Sequence, residues 1–179
     1  MIPYISVHNT YSPIAKEIGH KIKGQNASGM PISDAERDYA IRIAASSMAR
    51  LLPKDCVLVP IPSHRGYATD TLLLAREIGK MAKKEVADIL RGFDRTSSYE
   101  AKKNGEKVDF GFYMTHKPDK PIVYIDNVIA SGATARAAYE VHRGLFLVYV
   151  CVGGVKGFTQ YRTNTNVFSC RRGMPHKIL

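Results

Sequence analysis

The chain has 179 residues, of which 45% are hydrophobic and 23% are charged, so its length and composition fit one globular domain of ordinary size. This composition excludes a disordered chain, a collagen and a coiled coil, and no stretch approaches the roughly 20 apolar residues of a membrane helix. The net charge of +10 indicates an anionic partner, either a nucleic acid or a phosphate-bearing small molecule. About half of this charge lies in the last 27 residues, which hold five basic residues and no acidic one.

The start of the chain lacks a basic segment followed by an apolar run, so we expect no signal peptide. The three cysteines are widely separated and form no CxxC pattern, which excludes a disulfide framework and a zinc ribbon as predictions. We therefore expect a cytoplasmic protein.

The first part of the chain predicts two helices after a weakly patterned start. Tyr11 to Pro13 opens the first helix, and Lys21 to Gly24 closes it with basic residues and a glycine, as helix ends prefer. Ser33 and Glu36 form a capping box at the start of the second helix, which Pro53 ends.

A strand, a helix and a second strand follow. Cys56 to Pro62 has the apolar run of a buried strand that leads into a proline-bounded loop. Thr69 or Asp70 caps the next helix, whose apolar positions continue to Met81. The stretch from Val86 to Leu90 predicts a short strand.

The next stretch, from Arg91 to Lys120, is polar and predicts a long loop, with Val108 to Met114 as a short strand or hairpin arm inside it. Pro121 to Ile125 then predicts a strand, Asp126 to Gly132 a loop, Ala133 to His142 a helix and Leu145 to Val152 another apolar strand. Alternating strands and helices with continuous apolar strands indicate an α/β protein with a parallel sheet covered on both faces.

The loop after the strand at Pro121 to Ile125 carries the clearest chemical signal. Ligands of open α/β sheets bind at the carboxyl ends of strands, where Asp126 stands. Ser131 to Thr134 enters a helix whose free amides favour an anion, and Gly132 permits a close backbone approach. These residues suit a ligand with sugar hydroxyls and a phosphate. They also suit an ordinary turn with Thr134 as a helix cap, and the residues alone leave both interpretations open.

The segment from Ile122 to Thr134 resembles the motif with which type I phosphoribosyltransferases bind 5-phosphoribosyl 1-diphosphate (PRPP). The motif is an apolar strand, two acidic positions, a spacer that ends in small hydroxyl residues, then glycine and threonine. The resemblance implies that Asp126 binds the ribose hydroxyls and that the following loop holds the 5-phosphate. The second acidic position is Asn127, an amide without charge. The implied binding residues in this segment are Asp126, Asn127, Ala130, Ser131, Gly132, Ala133 and Thr134.

A second stretch, Val59 to Tyr67, resembles the pyrophosphate-binding loop of the same enzymes. It is most similar to the ComF-like competence subgroup, whose amino-terminal zinc ribbon is absent here, and the resemblance spans residues 11 to 152. A leaving diphosphate would be stabilised by backbone amides and a guanidinium in such a loop, although Arg65 also fits an ordinary surface arginine. The resemblance implies contacts from Pro62, Ser63, His64, Arg65 and Gly66.

The resemblance implies a mobile lid at Arg91 to Lys107, which would exclude water from the diphosphate. The basic residues of such a lid are Arg95, Lys102, Lys103 and Lys107. A solvated loop without a function is the alternative interpretation.

The expected fold is a single-domain type I phosphoribosyltransferase fold, with a mainly parallel twisted sheet, helices on both faces and a small variable hood. The expected division is an amino-terminal segment with a hood element at 1–30, an α/β core at 31–152 and a basic segment at 153–179. The expected cofactor is Mg²⁺, which would bridge diphosphate and ribose oxygens with Asp126 as a ligand through water.

The expected activity is transfer of a phosphoribosyl group from PRPP to a nitrogen acceptor such as a nucleobase, by a homodimer in which Asp126, Asn127 and Arg65 are catalytic. Asn127 also favours a regulator that binds PRPP or a nucleotide without turnover. A third hypothesis is nucleic-acid binding through the tail, where aromatic and basic residues interleave; an acceptor-binding hood or a solvated terminal segment is the alternative. These tail residues are Lys156, Phe158, Tyr161, Arg162, Phe168, Arg171 and Arg172. An association with DNA uptake is what the ComF-like resemblance implies.

Overall fold

The computed structural model describes residues 1–10, 12–96, 101, 103–105, 108, 110–152 and 155–161. Its helices and strands are β1 (Ile2–His8), α1 (Pro13–Ile22), α2 (Asp34–Ala49), β2 (Val57–Pro60), α3 (Asp70–Ala82), β3 (Leu90–Arg91), β4 (Tyr113–Met114), β5 (Ile122–Ile129), α4 (Ala133–Val141), β6 (Leu145–Cys151) and β7 (Phe158–Gln160).

Five strands form one sheet in the order β2-β5-β6-β1-β7, and every neighbouring pair is parallel. Phe146 in the central strand β6 lies opposite Tyr124 of β5 on one side and Tyr4 of β1 on the other. The strands β3 and β4 form a separate antiparallel pair. A parallel sheet is buried on both faces, which explains why β5 and β6 begin as continuous apolar runs.

Helices cover both faces of the sheet. On one face, α1, α2 and α3 pack against alternate sheet residues such as Val123, Ile125 and Leu147. On the other face, α4 packs against residues such as Tyr124 and Phe146, whose rings stack with centroids 4.8 Å apart. The predicted α/β fold, with a mainly parallel sheet and helices on both faces, is confirmed.

The starts of α1 and α2 have side-chain caps, whereas Thr69, the N-cap of α3, makes no side-chain cap hydrogen bond. The Ser33 hydroxyl accepts the Glu36 amide at 3.3 Å, and the Glu36 carboxylate accepts the Ser33 amide at 3.3 Å, so the capping box is present. At α1 the Ser12 hydroxyl accepts the Ala15 amide at 3.2 Å, and Pro13 occupies the first turn, where its missing N–H costs nothing.

Strands β1 and β7 are absent from the sequence prediction. Ile2 to His8 contains Pro3, Ser6 and His8, so it shows neither an apolar run nor strict alternation, yet β1 lies between β6 and β7 with Tyr4 and Ile5 buried. The sheet therefore extends beyond the 31–152 core at both ends, and the hood stays a prediction.

Strand β5 is longer than the sequence predicts. It continues past Ile125 to Ile129, because β6 runs beside it with Val148 opposite Asp126 and Val150 opposite Val128. The predicted loop from Asp126 to Gly132 is therefore wrong over its first four positions.

The short strand predicted at Val86 to Leu90 lies further along the chain in the structure. Val86 forms a single parallel bridge to Leu58, whereas the strand itself is Leu90–Arg91. Its partner is Tyr113–Met114, so an antiparallel pair joins the two ends of the long polar segment. Among the helices in the described ranges, none is long and apolar enough to cross a membrane.

Two helical glycines give a test of the packing. A Cβ at Gly79 in α3 would lie 2.7 Å from Val86 Cγ2 and 2.9 Å from the Lys84 carbonyl oxygen. We expect Gly79→Ala to lower the free energy of unfolding by about 1–3 kcal/mol, because a backbone carbonyl cannot move aside cheaply. Gly19→Ala in α1 is the control: its Cβ would meet nothing within 4 Å, and we expect a gain of about 0.5–1 kcal/mol. Urea unfolding measures both, and a stabilised Gly79→Ala variant would contradict the packing of α3.

Candidate functional site

The candidate site lies where strand β2 leaves the sheet before its neighbour β5 ends. The last paired residues of β2 and β5 are Pro60 and Ile125, and the Ile61 amide still donates to the Ile125 carbonyl at 3.0 Å. On the other side of β5, β6 stays paired with it as far as Ile129 of β5, which lies opposite Cys151 of β6. Residues 126–129 therefore have a neighbouring strand on one side only, which leaves a notch in the carboxyl edge of the sheet.

Asp126 stands in this notch. One carboxylate oxygen accepts the Asn127 amide at 2.8 Å. Burial raises the pKa of Asp126 to about 6, while the amides of Asn127 and Val128 and the charge of Lys23 act in the opposite direction. The carboxylate is poorly solvated, so hydrogen bonds from a ligand's hydroxyls would stabilise it strongly.

Asn127 is nine-tenths buried, with 5% of its surface exposed. Its carboxamide makes no hydrogen bond to any other residue that the structure describes. It lines a small cavity together with Gly19, His20 and Lys23 from the carboxyl end of α1. The sequence predicts Lys23 and Gly24 only as the end of the first helix, and it gives no signal for His20.

The loop at Pro62 to Gly66 follows β2 directly and forms a tight turn. The Ser63 amide donates to the Tyr67 carbonyl at 2.9 Å, and the Gly66 amide donates to the Ser63 carbonyl at 3.1 Å. The Arg65 amide donates to the Ser63 hydroxyl at 3.2 Å. Three of the loop's amides are thus used within the turn, which leaves the His64 amide and the exposed Arg65 side chain for an anion.

A second chain segment holds this loop in place. The Gly92 amide donates to the Gly66 carbonyl at 2.8 Å, and the Arg95 amide donates to the His64 carbonyl at 3.0 Å. Gly66 has φ +84°, and a Cβ there would overlap the Gly92 carbonyl oxygen. Only glycine fits at this position, because both the conformation and the space exclude a side chain.

The predicted lid begins at this segment. The Arg95 guanidinium lies 4.3 Å from the centroid of the Phe110 ring, and burial lowers its pKa. Lys103 is exposed, whereas Lys102 and Lys107 lie outside the described residues. Arg95 is therefore packed at the base of the segment, and the lid itself stays a prediction.

The second predicted phosphate loop, residues 130–134, follows β5 across the notch from the first. Gly132 adopts φ +76° and is the N-cap of α4, with no side-chain cap. The Ala133 amide donates to the Ser131 hydroxyl at 3.4 Å. The next two amides of the first turn have no acceptor within the helix, so they and the helix dipole favour an anion at this point.

Arg136 fixes this loop, and the sequence analysis missed it because β7 was not predicted. Its guanidinium donates to the Ser131 carbonyl at 2.5 Å and to the Lys156 carbonyl at 3.0 Å. It also lies 5.4 Å from the centroid of the Phe158 ring. A Cβ at Gly132 would lie 2.6 Å from that ring, so the loop and the start of β7 are closely packed.

The tail residues predicted to bind nucleic acid are only partly described. Phe158 packs in the core with Val155, and its ring makes an edge contact with Tyr4 at 6.2 Å. The Tyr161 amide donates to the Tyr4 carbonyl at 2.8 Å. Both residues are thus engaged in the fold. Lys156 is exposed, and the other four predicted contacts lie outside the described residues: Arg162, Phe168, Arg171 and Arg172.

The residues at the notch do not form a metal site by themselves. Over the described ranges, no group of three or more histidine, cysteine, aspartate or glutamate side chains is placed to hold a metal ion. Asp126 provides one carboxylate, which fits Mg²⁺ that arrives with a phosphate ligand, since Mg²⁺ keeps water and substrate oxygens as most of its ligands.

The chain was compared with protein families, curated proteins and solved structures. No family model matches the chain, and no curated protein matches it. A solved structure of UMP synthase from Leishmania donovani is similar over 78% of this chain at 16% identity, with a TM-score of 0.38. The matched part is 31% of that chain, about a third of its length. The fold is defined by the sheet topology given above, and the ComF-like resemblance stays a prediction.

The raised pKa of Asp126 gives a test of its burial. Its ordinary value is 3.8, so folding is opposed by the buried carboxylate once the pH exceeds about 4, and this cost grows until the folded group ionises near pH 6. We expect Asp126→Asn to raise the free energy of unfolding by about 2–3 kcal/mol at pH 8 and to leave it nearly unchanged at pH 4. Urea unfolding at the two pH values measures this, with the exposed Asp119→Asn as control. An equal effect at both values would contradict the burial of the carboxylate.

Proposed function

We propose that this protein is a phosphoribosyltransferase that binds PRPP with Mg²⁺ and transfers its phosphoribosyl group to a nitrogen acceptor, with release of pyrophosphate. One observation carries the proposal. Two loops with backbone amides that lack an acceptor in the described part of the chain, residues 62–66 and 130–134, follow the strands on either side of the notch where the poorly solvated Asp126 carboxylate stands. PRPP has the matching sequence of groups, with a diphosphate and a phosphate on either side of two ribose hydroxyls.

Each part of the notch suits one part of the ligand. The Asp126 carboxylate would accept hydrogen bonds from the ribose hydroxyls. The amino-terminal amides of α4 would hold the 5-phosphate, since they lack acceptors and the helix dipole favours an anion. The exposed Arg65 would pair with the diphosphate at the opposite loop, where the pinned turn holds its backbone.

The transfer itself needs mainly positioning and charge stabilisation. A lone pair of the acceptor nitrogen would attack the anomeric carbon, the bond from that carbon to the diphosphate oxygen would break, and the acceptor's displaced proton would pass to solvent. Bound Mg²⁺ would supply charge neutralisation on the diphosphate. The guanidinium of Arg65 would stabilise the charge that builds on the departing group, which lowers the barrier to transfer.

The buried amide of Asn127 favours a second candidate function, a regulator that binds PRPP or a nucleotide without turnover. The family motif places an acid there, and this chain has an uncharged side chain with 5% exposure. Binding and turnover would then be separate properties of the site.

Substitution of Asp126 tests PRPP binding. We expect Asp126→Ala to reduce the affinity for PRPP with Mg²⁺ by at least about 100-fold, because the ribose hydroxyls lose a charged hydrogen-bond acceptor. Isothermal titration calorimetry measures the affinity. Asp119→Ala, an exposed carboxylate seven residues earlier, is the matched control and should bind like the wild type. Retained affinity in a folded Asp126→Ala protein would remove the proposal.

Pyrophosphate release separates the enzyme from the regulator. Wild-type protein with PRPP and Mg²⁺ is offered a panel of purine and pyrimidine bases, and released pyrophosphate is measured. We expect release with at least one acceptor, and we expect Arg65→Ala to slow it by about 10- to 1000-fold. Tight PRPP binding with no release for any base would instead support the regulator.

A further inference from the structure

A cavity beside the notch contains two polar groups without partners. It lies between the carboxyl end of α1 and the ends of β5 and β6, and it is lined by Gly19, His20, Lys23, Asn127, Val128 and Val150. The Nδ1 atom of His20 is buried and has no hydrogen-bond partner among the described residues. Asn127 is 5% exposed as a residue, and its carboxamide, which is not completely buried, makes no hydrogen bond within the described residues. Buried polar groups of this kind are normally satisfied, since each costs free energy when it is not.

The size of the cavity limits what can satisfy them. The cavity is partly open, and its volume of about 20 Å³ is enough for one water-sized group. An oxygen at this position has three polar neighbours on the lining, His20, Lys23 and Asn127, which is the usual number for a buried water.

The charges around the cavity select a neutral group. Burial lowers the pKa of His20, and repulsion by Lys23 and Lys16 lowers it further, so the neutral imidazole is favoured at neutral pH. Lys23 and the Asp126 carboxylate are near each other and have opposite charges, so neither a cation nor an anion is favoured by both. Water, which donates and accepts, suits a neutral imidazole nitrogen and a carboxamide together.

We propose that this cavity is a subsite for one neutral oxygen, a water in the free protein, which hydrogen-bonds both His20 Nδ1 and the Asn127 carboxamide. His20 is then a positioning residue, because it acts on the ligand notch through that oxygen and through Asn127. The role in ligand binding rests on the proposed function, whereas the subsite rests on the cavity alone. If a ribose hydroxyl of PRPP reaches the cavity, it takes the place of the water at the same two partners.

Crystal structures of the wild-type protein without and with PRPP test the subsite. We expect an ordered water about 2.7–3.2 Å from His20 Nδ1 and from the Asn127 side chain in the free protein. With PRPP, either that water or a ligand hydroxyl should occupy the position, and the density distinguishes the two. A cavity without density, or an Asn127 side chain turned away from it, would overturn the proposal.

Two substitutions at His20 separate positioning from folding. Asparagine places a polar atom near the Nδ1 position of histidine, whereas glutamine places one near the Nε2 position. We expect His20→Asn to keep the side-chain amide NMR signals of Asn127 close to those of the wild type, and His20→Gln to shift them. We expect His20→Gln to weaken PRPP binding by about three- to tenfold and His20→Asn by less than about twofold, because one bridging hydrogen bond is at stake.

The outcomes are distinct. Unchanged Asn127 signals in a folded His20→Gln protein would overturn the proposal, and so would equal effects of the two variants. If the wild-type protein binds no PRPP, the proposed function fails, while the water density and the Asn127 signals still decide whether the subsite exists.

Discussion

The site depends on one backbone hydrogen bond, from the Ser63 amide to the Tyr67 carbonyl at 2.9 Å. Along β2, the amides of Val57 and Ile61 donate to the carbonyls of Pro121 and Ile125, so the same series would next pair Ser63 with Asn127. Ser63 instead donates within its own turn, and pairing with β5 ends. This one choice of acceptor closes the loop at 62–66 and opens the notch beside Asp126.

The loops around the notch are held by contacts far along the chain. Gly92 fixes the first loop through Gly66, and Arg136 ties the second loop to the start of β7. Arg37 joins two other parts, since it donates to the Ile22 carbonyl at 3.1 Å and pairs with Asp70 at 2.5 Å, where α1 ends and α3 begins. Groups held in this way need little rearrangement to meet a ligand, which lowers the cost of binding.

The sequence predicts those elements whose local chemistry agrees with their tertiary environment. The capping box at Ser33, the buried strand before Pro60 and the helix after Gly132 were all predicted, because capping, apolar runs and glycine act locally. Strand β1 could not be predicted, because its place between two parallel strands compensates for Pro3, Ser6 and His8.

The sequence does not predict where β5 ends or which α1 residues lie beside Asn127, for a related reason. Asp126 and Asn127 are turn formers, and only the neighbouring strand β6 keeps them extended. The burial of Asn127 against α1 depends on helix packing, and so does the place of His20 beside it. The loops themselves were found, since their glycines and prolines leave a direct mark on the sequence.

The family motif has an acidic residue where this chain has Asn127, and the position of Asn127 in the structure explains this difference. A carboxylate at this position would be nine-tenths buried, and it would lie on the opposite face of β5 from Asp126, because successive strand residues alternate between faces. Burial of this degree raises the pKa of a carboxylate, so a protonated acid here would resemble an amide in charge. The amide therefore removes little charge that the site would have held. The poorly solvated Asp126 is left as the acceptor for hydroxyls, and the neutral neighbour can satisfy a buried oxygen on the α1 side without competing for it.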